Sequence, residues 1–298
     1  MSAQIHYLKH AELDMQQWDA CVQQSVNRLP YAMSWYLDAA TDQSWDALVI
    51  GAYQAVLPVP VKGQLFFKKA YQPFFLQQLG LFYKDFADAQ LLPAMLDELF
   101  ARHKRIQLHL NTDNLPPEKY IIKKRVTHHL NLNPSYDELV KQYSTQIKRN
   151  LKNARQHQLS IVHNVQPDDL LHMRRNFLSH VIKQGNQKEA DTLRLGRIMQ
   201  AAIDHQQGKI VGVQDAAGKL CAGIFLLSND RCMIYLSAVS TDLGKDQHAM
   251  TFLLDDIFHQ HANANIFFDF EGSMQPGLAR YYKGFGGVEH WFSVIGRK

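Results

Sequence analysis

The chain has 298 residues, of which 46% are hydrophobic, so it can bury one or two cores, and two domains of about 150 residues each are the default expectation. Its net charge of +4 permits an anionic ligand but is too small to predict one. Three cysteines, Cys21, Cys221 and Cys232, fit neither a disulfide framework nor a zinc site, and the 15 histidines lack metal-ligand spacing, so we expect a reduced compartment and no metal site.

The first half of the chain alternates helical and extended patterns. Its opening stretch, MSAQIHYLKHAELDMQQW, carries charges throughout, which argues against a signal peptide or a transmembrane segment and favours a cytoplasmic protein without stable membrane insertion. Residues 14–40 are predicted to be helical, with a second start at Ser34 as a cap. Strands are then predicted in WDALVIGAYQAVLPVPVKG, LFFKKAYQPFFLQQLGLFY, RIQLHLN and EKYIIKKRVTHHLNL, with a helix in DAQLLPAMLDELFARH.

From Ser135 a second set of elements begins. A capping box of Ser135 and Glu138 predicts one helix over 136–157. A strand, two helices separated by Gly185, three strands joined by the turns DAAGK and NDR, a helix, a strand, a short helix and a last strand follow. The sequence therefore predicts an α/β (α+β layered) fold with a mixed, mostly antiparallel sheet flanked by helices, in two domains, 1–134 and 135–298.

The helix predicted over 136–157 is basic. It carries five cations and no acid after Glu138, and four of the cations share one side, so they would form a continuous row. Such a row could hold phosphates through charge-assisted hydrogen bonds, or it could be an ordinary solvated helix face. The five cations are Lys141, Lys148, Arg149, Lys152 and Arg155.

The stretch TDLGKDQHA is predicted to be a loop between a buried strand and a long apolar helix. A loop in that position aims the free N–H groups of the helix at an anion, so Ser240, Thr241, Gly244 and Lys245 are candidate donor-binding residues. Acyl-CoA enzymes of the GNAT superfamily place an Arg/Gln-x-x-Gly-x-Gly/Ala pattern there. The stretch has one glycine and two aspartates, so coenzyme A binding is poorly supported.

The stretch FDFEGSMQPGLARYYKGFGG, residues 268–287, concentrates polar candidates near the end of the chain. Asp269 and Glu271 lie two residues apart at the end of a strand, and either could accept a proton or cap the turn that follows. Lys283 lies among Tyr281, Tyr282 and Phe285, where it could stabilise an oxyanion or simply cover aromatic rings at the surface.

Four segments of the chain resemble the Fem family, tRNA-dependent aminoacyltransferases that add peptide-bridge residues to peptidoglycan precursors, and GNAT-type relatives. The last, FDFEGSMQPGLARYYKGFGG, is similar to the family's Asp-Phe-x-Gly-Ser turn with a lysine-bearing helix and Phe-Gly-Gly. The others are STQIKRNLKNARQHQLSI, YLSAVSTDLGKDQHAMTFLLDDIF and AYQPFFLQQLGLFY.

The resemblance implies two tandem GNAT-like domains, with the acceptor in a cleft of the N-terminal domain and the donor and catalytic residues in the C-terminal one. Lys283 would stabilise the transition state, with Tyr282 as a substrate-binding neighbour. The basic helix would hold acceptor phosphates through Lys148, Arg149 or Lys152. The residues Tyr71, Gln72 and Gln77 match the segment that lines the N-terminal cleft. The chain lacks the long charged heptad segment that forms a helical arm in several family members, so tRNA contact through such an arm is not expected.

These patterns lead to one preferred hypothesis and two rivals. The preferred one is an acyltransferase that forms an amide from an aminoacyl-tRNA donor and an amine of an anionic small-molecule or peptide-nucleotide acceptor, with tRNA as a partner and no tightly bound cofactor. The first rival is an N-acyltransferase that uses acyl-CoA. The second is a non-catalytic binding module that keeps the same cleft. The sequence predicts neither the transferred group nor the oligomeric state.

Overall fold

The computed structural model describes residues 4–63, 68–84, 90–163, 165–177 and 186–297. It confirms a mixed α/β fold with mostly antiparallel strands and flanking helices, arranged in two compact units: Met1–Val126 with His290–Lys298, and Thr127–Glu289. The sequence patterns suggested domains of 1–134 and 135–298. The boundaries differ because the last strand belongs to the first unit, a long-range pairing that local patterns do not encode. No helix in the described ranges has the length and apolarity needed to cross a bilayer.

The first unit contains an antiparallel sheet with one parallel pair. Its strand order is β1-β2-β3-β4-β6-β13, with β5 paired to β3, and β4 and β6 run parallel. Helix α3 buries Met95, Leu96 and Leu99 in the core of this unit. The elements are β1 (Ile5–Lys9), α1 (Met15–Gln24), α2 (Ser34–Thr41), β2 (Trp45–Ile50), β3 (Ala55–Lys62), β4 (Lys69–Tyr71), β5 (Phe82–Tyr83), α3 (Leu91–Arg102), β6 (Ile106–His109), the first part of β7 (Ile121–Asn131) and the end of β13 (Val288–Gly296).

The predicted cap at Ser34 is wrong by one residue. Met33 holds the N-cap position of α2, and the Ser34 hydroxyl donates to the Asp19 carboxylate at 2.6 Å instead of receiving a helix N–H. Asp19 also accepts the Ser34 backbone N–H at 2.7 Å. Asp19, on α1, therefore accepts the hydrogen bonds at the start of α2 in place of a local capping side chain. The start of α2 is fixed by tertiary contact with α1.

The second unit is a sheet in the order β7-β12-β11-β10-β9-β8. The two predicted hairpins, β9-β10 and β10-β11, are confirmed, and β11 and β12 run parallel. The predicted separator Gly185 lies outside the described residues. The elements of this unit after β7 are α4 (Tyr136–Gln142), α5 (Thr145–Ala154), β8 (Ser160–Val162), α6 (Pro167–Phe177), α7 (Asn186–Asp204), β9 (Gly208–Gln214), β10 (Leu220–Ser228), β11 (Cys232–Ser240), α8 (Asp242–Asp246), α9 (Ala249–Gln260), β12 (Phe267–Asp269) and α10 (Pro276–Gly284).

The single helix predicted over 136–157 is wrong, because the structure divides it into α4 and α5. Tyr143 and Ser144 are extended, and the Ser144 hydroxyl accepts the Ile147 N–H as the N-cap of α5. The Ser144 N–H donates to the Gly284 carbonyl at 2.8 Å and so cannot continue a helix. The predicted continuous row of cations is therefore interrupted after Lys141.

One buried carboxylate joins α4, α5 and α9. Asp255, 6% exposed, accepts hydrogen bonds from the Tyr136 hydroxyl at 2.9 Å and the Tyr143 hydroxyl at 3.2 Å, and it pairs with Arg155 at 3.2 Å. Arg155 is therefore paired with Asp255 and is not a member of the predicted phosphate-binding row.

We expect Asp255→Asn to destabilise the protein by about 2 kcal/mol. The substitution removes the charge that accepts two tyrosine hydroxyls, and hydrogen bonds to charged groups contribute roughly 1.5–3 kcal/mol. Urea unfolding monitored by circular dichroism measures this, with Asp256→Asn on the same helix as the matched control. Equal midpoints for the two variants would contradict the structural role of Asp255.

Candidate functional site

The candidate site is built on the turn between β12 and α10. Glu271 has φ +50° and Gly272 has φ +55°, so two consecutive residues adopt the left-handed conformation. This conformation is uncommon for glutamate and carries strain that clusters at functional sites. The Glu271 N–H donates to Asp269 Oδ1 at 2.9 Å, and the Ser273 hydroxyl donates to the Glu271 carbonyl at 2.9 Å. The turn therefore holds the main chain of Glu271 through both its N–H and its carbonyl group.

Asp269 holds this turn by accepting the Glu271 N–H. It is 2% exposed, accepts a hydrogen bond from the Thr127 hydroxyl, and lies 3.3 Å from His129 Nε2. Burial acts to raise the pKa of Asp269, but the charge and hydrogen bond of His129, together with hydrogen bonds from Thr127 and the Glu271 N–H, outweigh it and lower the pKa. An ionised carboxylate with these partners fits the alternative of capping the turn better than that of accepting a proton.

The environment of Glu271 shifts its pKa in the opposite direction to that of Asp269. Its Oε1 is enclosed and has no hydrogen-bond partner among the residues that the structure describes. Burial raises the pKa of Glu271 to about 8, so the carboxyl group exists in both protonation states near neutral pH. A carboxyl group with these properties can accept a proton and return it.

Tyr282 stands next to Glu271. Its ring is 2% exposed and stacks on Phe270 with the centroids 4.6 Å apart. A Cβ built at Gly272 would lie 3.6 Å from the Tyr282 hydroxyl oxygen, which places that hydroxyl beside the turn. Burial raises the pKa of Tyr282, and the charges of Tyr281, Glu271 and Asp269 raise it further, so the hydroxyl stays protonated and can donate a hydrogen bond.

Lys283 lies on the last turn of α10. Its Nζ is 2.5 Å from Glu289 Oε1, and the two side chains are 53% and 38% exposed. Helix α10 is held in place through Gly284, where a Cβ would come within 2.9 Å of the Ile147 side chain. Lys283 is thus a solvent-accessible cation on a firmly packed helix.

The sequence analysis missed His128. It lies on β7 opposite Phe270, whose N–H donates to the His128 carbonyl, and it is fully buried. Neither ring nitrogen has a hydrogen-bond partner within the described part of the chain. Burial lowers the pKa of His128, and the charge of Lys283 lowers it further, while Glu289 acts in the opposite direction. The pattern of β7 could have indicated that His128 and His129 lie on opposite faces, but not what surrounds them.

The three cations of α5 project into solvent. Lys148, Arg149 and Lys152 are exposed, and Arg149 donates to the Gln146 side chain at 2.7 Å. Lys148 Nζ lies 3.5 Å from the Lys141 carbonyl. Within the described ranges these three side chains form no ion pair with an acidic residue, so they make a basic surface. Phosphate binding at this surface stays a prediction.

The candidates of the N-terminal segment make local and cross-strand hydrogen bonds in the first unit. Tyr71 ends β4. Gln72 accepts the His109 N–H at 2.8 Å and donates to the Leu76 carbonyl, so it fixes the turn after β4. The Gln77 carbonyl lies 3.0 Å from His109 Nδ1. The Gln72 side chain therefore has a structural role, whereas Gln77 contacts His109 through its main chain. A role of Tyr71, Gln72 and Gln77 in substrate binding stays a prediction.

The predicted donor loop is wrong as a loop, because it contains helix α8. Ser240 ends β11, and the Thr241 hydroxyl caps α8 by accepting the Gly244 N–H at 3.0 Å. Lys245 pairs with Asp242 at 2.8 Å. A Cβ at Gly244 would come within 2.2 Å of the Cys221 carbonyl. Close packing against β10 is therefore the structural reason for this glycine.

We expect Gly244→Ala to destabilise the protein by about 1–3 kcal/mol, because a backbone atom blocks the new methyl group and overpacking has this magnitude. A thermal melt measures it, with Gly277→Ala, where nothing lies within 4 Å of the new Cβ, as the control. A Gly244→Ala variant as stable as the Gly277→Ala variant would contradict this packing role.

Within the described residues, no three histidine, cysteine, aspartate or glutamate side chains are grouped so that they could hold a metal ion. The candidate site consists of hydrogen-bonding and charged side chains. Asp269 accepts the Glu271 N–H and so fixes the turn, the Tyr282 hydroxyl lies beside Gly272 of the same turn, and Lys283 follows Tyr282 on α10. Such an arrangement can exchange protons and stabilise negative charge, the two requirements of acyl transfer.

Comparison with known proteins identifies the fold. No family model matches the chain, and no curated protein matches it. Among solved structures, FemX matches with a TM-score of 0.67 and 13% identity over 97% of each chain. The C-terminal domain of a putative lysylphosphatidylglycerol synthetase from Agrobacterium fabrum matches with a TM-score of 0.54 and 9% identity, over 97% of this chain and 93% of that one.

A tandem GNAT protein from the clavulanic acid biosynthesis pathway also matches, with a TM-score of 0.51 and 9% identity over 98% of each chain. These likenesses extend over almost the whole length of this chain and of each neighbour. At identities of 9–13% they concern the fold. The chain therefore shares the fold of FemX and of this tandem GNAT protein.

Proposed function

We propose that this chain is an acyltransferase that joins an acyl group to an amine as an amide, with an aminoacyl-tRNA ester as donor and an amine of a peptidoglycan-precursor-like molecule as acceptor. The fold likeness to FemX and to GNAT proteins supports the reaction class. Because fold alone does not fix chemistry, the proposal rests on the candidate site.

The observation that carries the proposal is the environment of Glu271. Its enclosed Oε1 has no partner among the described residues, and burial raises its pKa to about 8. An amine that attacks a carbonyl carbon must lose a proton once the C–N bond forms. Glu271 accepts this proton, and after the C–O bond of the ester breaks, the proton passes to the leaving oxygen. The charge balance closes without a metal or a redox partner.

Two neighbours complete the site. Lys283 is the cation that stabilises the negative charge on the carbonyl oxygen in the transition state, and the protonated hydroxyl of Tyr282 hydrogen-bonds the substrate next to Glu271. Asp269 is a positioning residue, because it holds the Glu271 N–H and thus the orientation of the turn. The basic surface of α5 offers Lys148, Arg149 and Lys152 to phosphates of the acceptor or of tRNA.

The donor segment favours an ester over acyl-CoA. A pyrophosphate site between β11 and α9 would need free backbone N–H groups, but α8 fills this stretch, and the Gln247 and His248 N–H groups bond to carbonyls of α8. Ala249, the first residue of α9, is fully buried. These contacts argue against a pyrophosphate at Gln247 and His248, so we keep aminoacyl-tRNA as the proposed donor and acyl-CoA as the alternative.

Transfer assays test the proposal. The purified protein is incubated with bulk tRNA charged with labelled amino acids and with a soluble nucleotide-linked peptidoglycan precursor, and products are identified by mass spectrometry. A parallel arm replaces the charged tRNA with acetyl-CoA. A precursor heavier by one amino-acid residue supports the proposal, and an acetylated product assigns the protein to the acyl-CoA alternative. The absence of both products, with either donor, would overturn the assignment.

A further inference from the structure

The ammonium group of Lys283 already has an anion beside it. Glu289 Oε1 lies 2.5 Å from Lys283 Nζ, in the position that a substrate oxyanion would take on this cation. Both side chains are about half exposed, so water and dissolved anions reach the pair. Lys283, to which we assign charge stabilisation in the transition state, is thus already paired with the Glu289 carboxylate of the same chain.

The backbone brings this carboxylate back to the lysine. Gly286 has φ +95°, and its N–H donates to the Lys283 carbonyl at 3.0 Å. The Gly287 N–H donates to the Tyr282 carbonyl, and a Cβ at Gly287 would come within 2.9 Å of that oxygen. The two glycines therefore permit a tight reversal that other residues would strain, and it places Glu289 against Lys283.

The Glu289 carboxylate can be replaced on Lys283 by another anion. Ion pairs with this exposure contribute little to stability, because water screens the charges and because two long side chains must be ordered. Another oxyanion can therefore replace the Glu289 carboxylate without unfolding the helix or the turn. A ligand with more negative charge, or with better geometry than one carboxylate, would displace it.

We propose that Lys283 and Glu289 form an anion-exchange site, in which Glu289 is the resident counter-ion and an incoming oxyanion binds Lys283 by replacing it. The class of ligand is a phosphate, a carboxylate or the tetrahedral oxyanion of acyl transfer. This inference rests on the proposed role of Lys283, and it adds that Glu289 sets the affinity of that lysine for anions.

His128 provides a reporter inside the protein. Burial has the largest effect on its pKa, and of the two charges of the pair, Lys283 lowers the pKa while Glu289 raises it. Glu289→Gln should therefore lower the pKa of His128, and Lys283→Ala should raise it. A phosphate that binds at Lys283 restores the negative charge and should move the His128 resonances back.

The experiment titrates inorganic phosphate into protein labelled with ¹⁵N-histidine and follows the His128 ring by NMR. We expect Glu289→Gln to bind phosphate about 5-fold more tightly than the native chain, a coupling of the usual size between interacting sites. We expect Lys283→Ala to show no phosphate-dependent shift of His128. Glu118→Gln, which removes an exposed glutamate elsewhere, is the matched control.

Two results would overturn the inference. One is an equal or lower phosphate affinity of Glu289→Gln, which would make Glu289 a residue that positions the lysine. The other is no response of His128 to phosphate in any variant. Neither result depends on turnover, so a failure of the proposed transfer reaction in the assays above is distinguishable from a failure of anion exchange.

Discussion

Glu271→Gln is expected to lower the rate of amide formation by about 10²–10⁴-fold, the range that general acid–base catalysis contributes. The amide side chain keeps the size of the carboxyl group but cannot take the proton of the attacking amine. In the native chain the rate should rise with pH and level off near the pKa of Glu271, about 8, because only the deprotonated carboxylate accepts a proton. The pH dependence of kcat/KM measures both effects.

The same pKa shift predicts an effect on stability with a definite sign. The folded-state pKa of Glu271 lies above the ordinary value of 4.5, so between these two pH values the folded state binds more protons than the unfolded one. Stability contributed by the protonated carboxyl group is therefore complete below about pH 4.5 and is lost as the pH rises to about 8. Glu271→Gln lacks this loss. The melting temperature of the variant minus that of the native chain should therefore increase between pH 5 and pH 8.5.

The control for both measurements is Glu118→Gln, because that glutamate is exposed and lies outside the site. It should show native rates and a native pH profile of stability. A Glu271→Gln variant with a native rate and an unchanged pH profile would remove Glu271 from the mechanism. A lost rate with an unchanged melting profile would mean that Glu271 acts as an ionised group.

Lys283→Ala is expected to lower turnover by about 10²–10³-fold, the loss seen when one group that stabilises an oxyanion is removed. Stability should change by less than about 0.5 kcal/mol, since the side chain is half exposed and its pair with Glu289 is screened by water. Parallel measurements of kcat and of urea unfolding separate the two quantities. A fall in kcat at unchanged stability places the effect in the transition state.

Arg280→Ala is the matched control, since it removes an exposed cation from the same helix. If both variants lose activity equally, the effect is one of general positive charge on α10. If Lys283→Ala keeps native turnover, the role implied by the family resemblance does not apply to this chain.

Local patterns determined the class of fold and most of its elements. Apolar runs predicted the strands of the β9-β10-β11 meander, and the turn residues between them predicted its hairpins, because these elements depend on neighbours close in sequence. The strand, turn, helix and glycine stop of the stretch 268–287 could be predicted for the same reason, because they lie within a few residues of one another, and that this stretch bears a site stays a prediction.

Tertiary contacts decided what local patterns could not. The amide of Ser144 bonds to Gly284, so the strongest predicted helix breaks in two, and Arg155 pairs with Asp255 instead of joining a cation row. Asp269 and Glu271 look equivalent in sequence, yet Thr127 and His129 keep the first ionised, while enclosure raises the pKa of the second. A side chain's chemistry follows from burial and partners, and those partners come from strands that are distant in sequence.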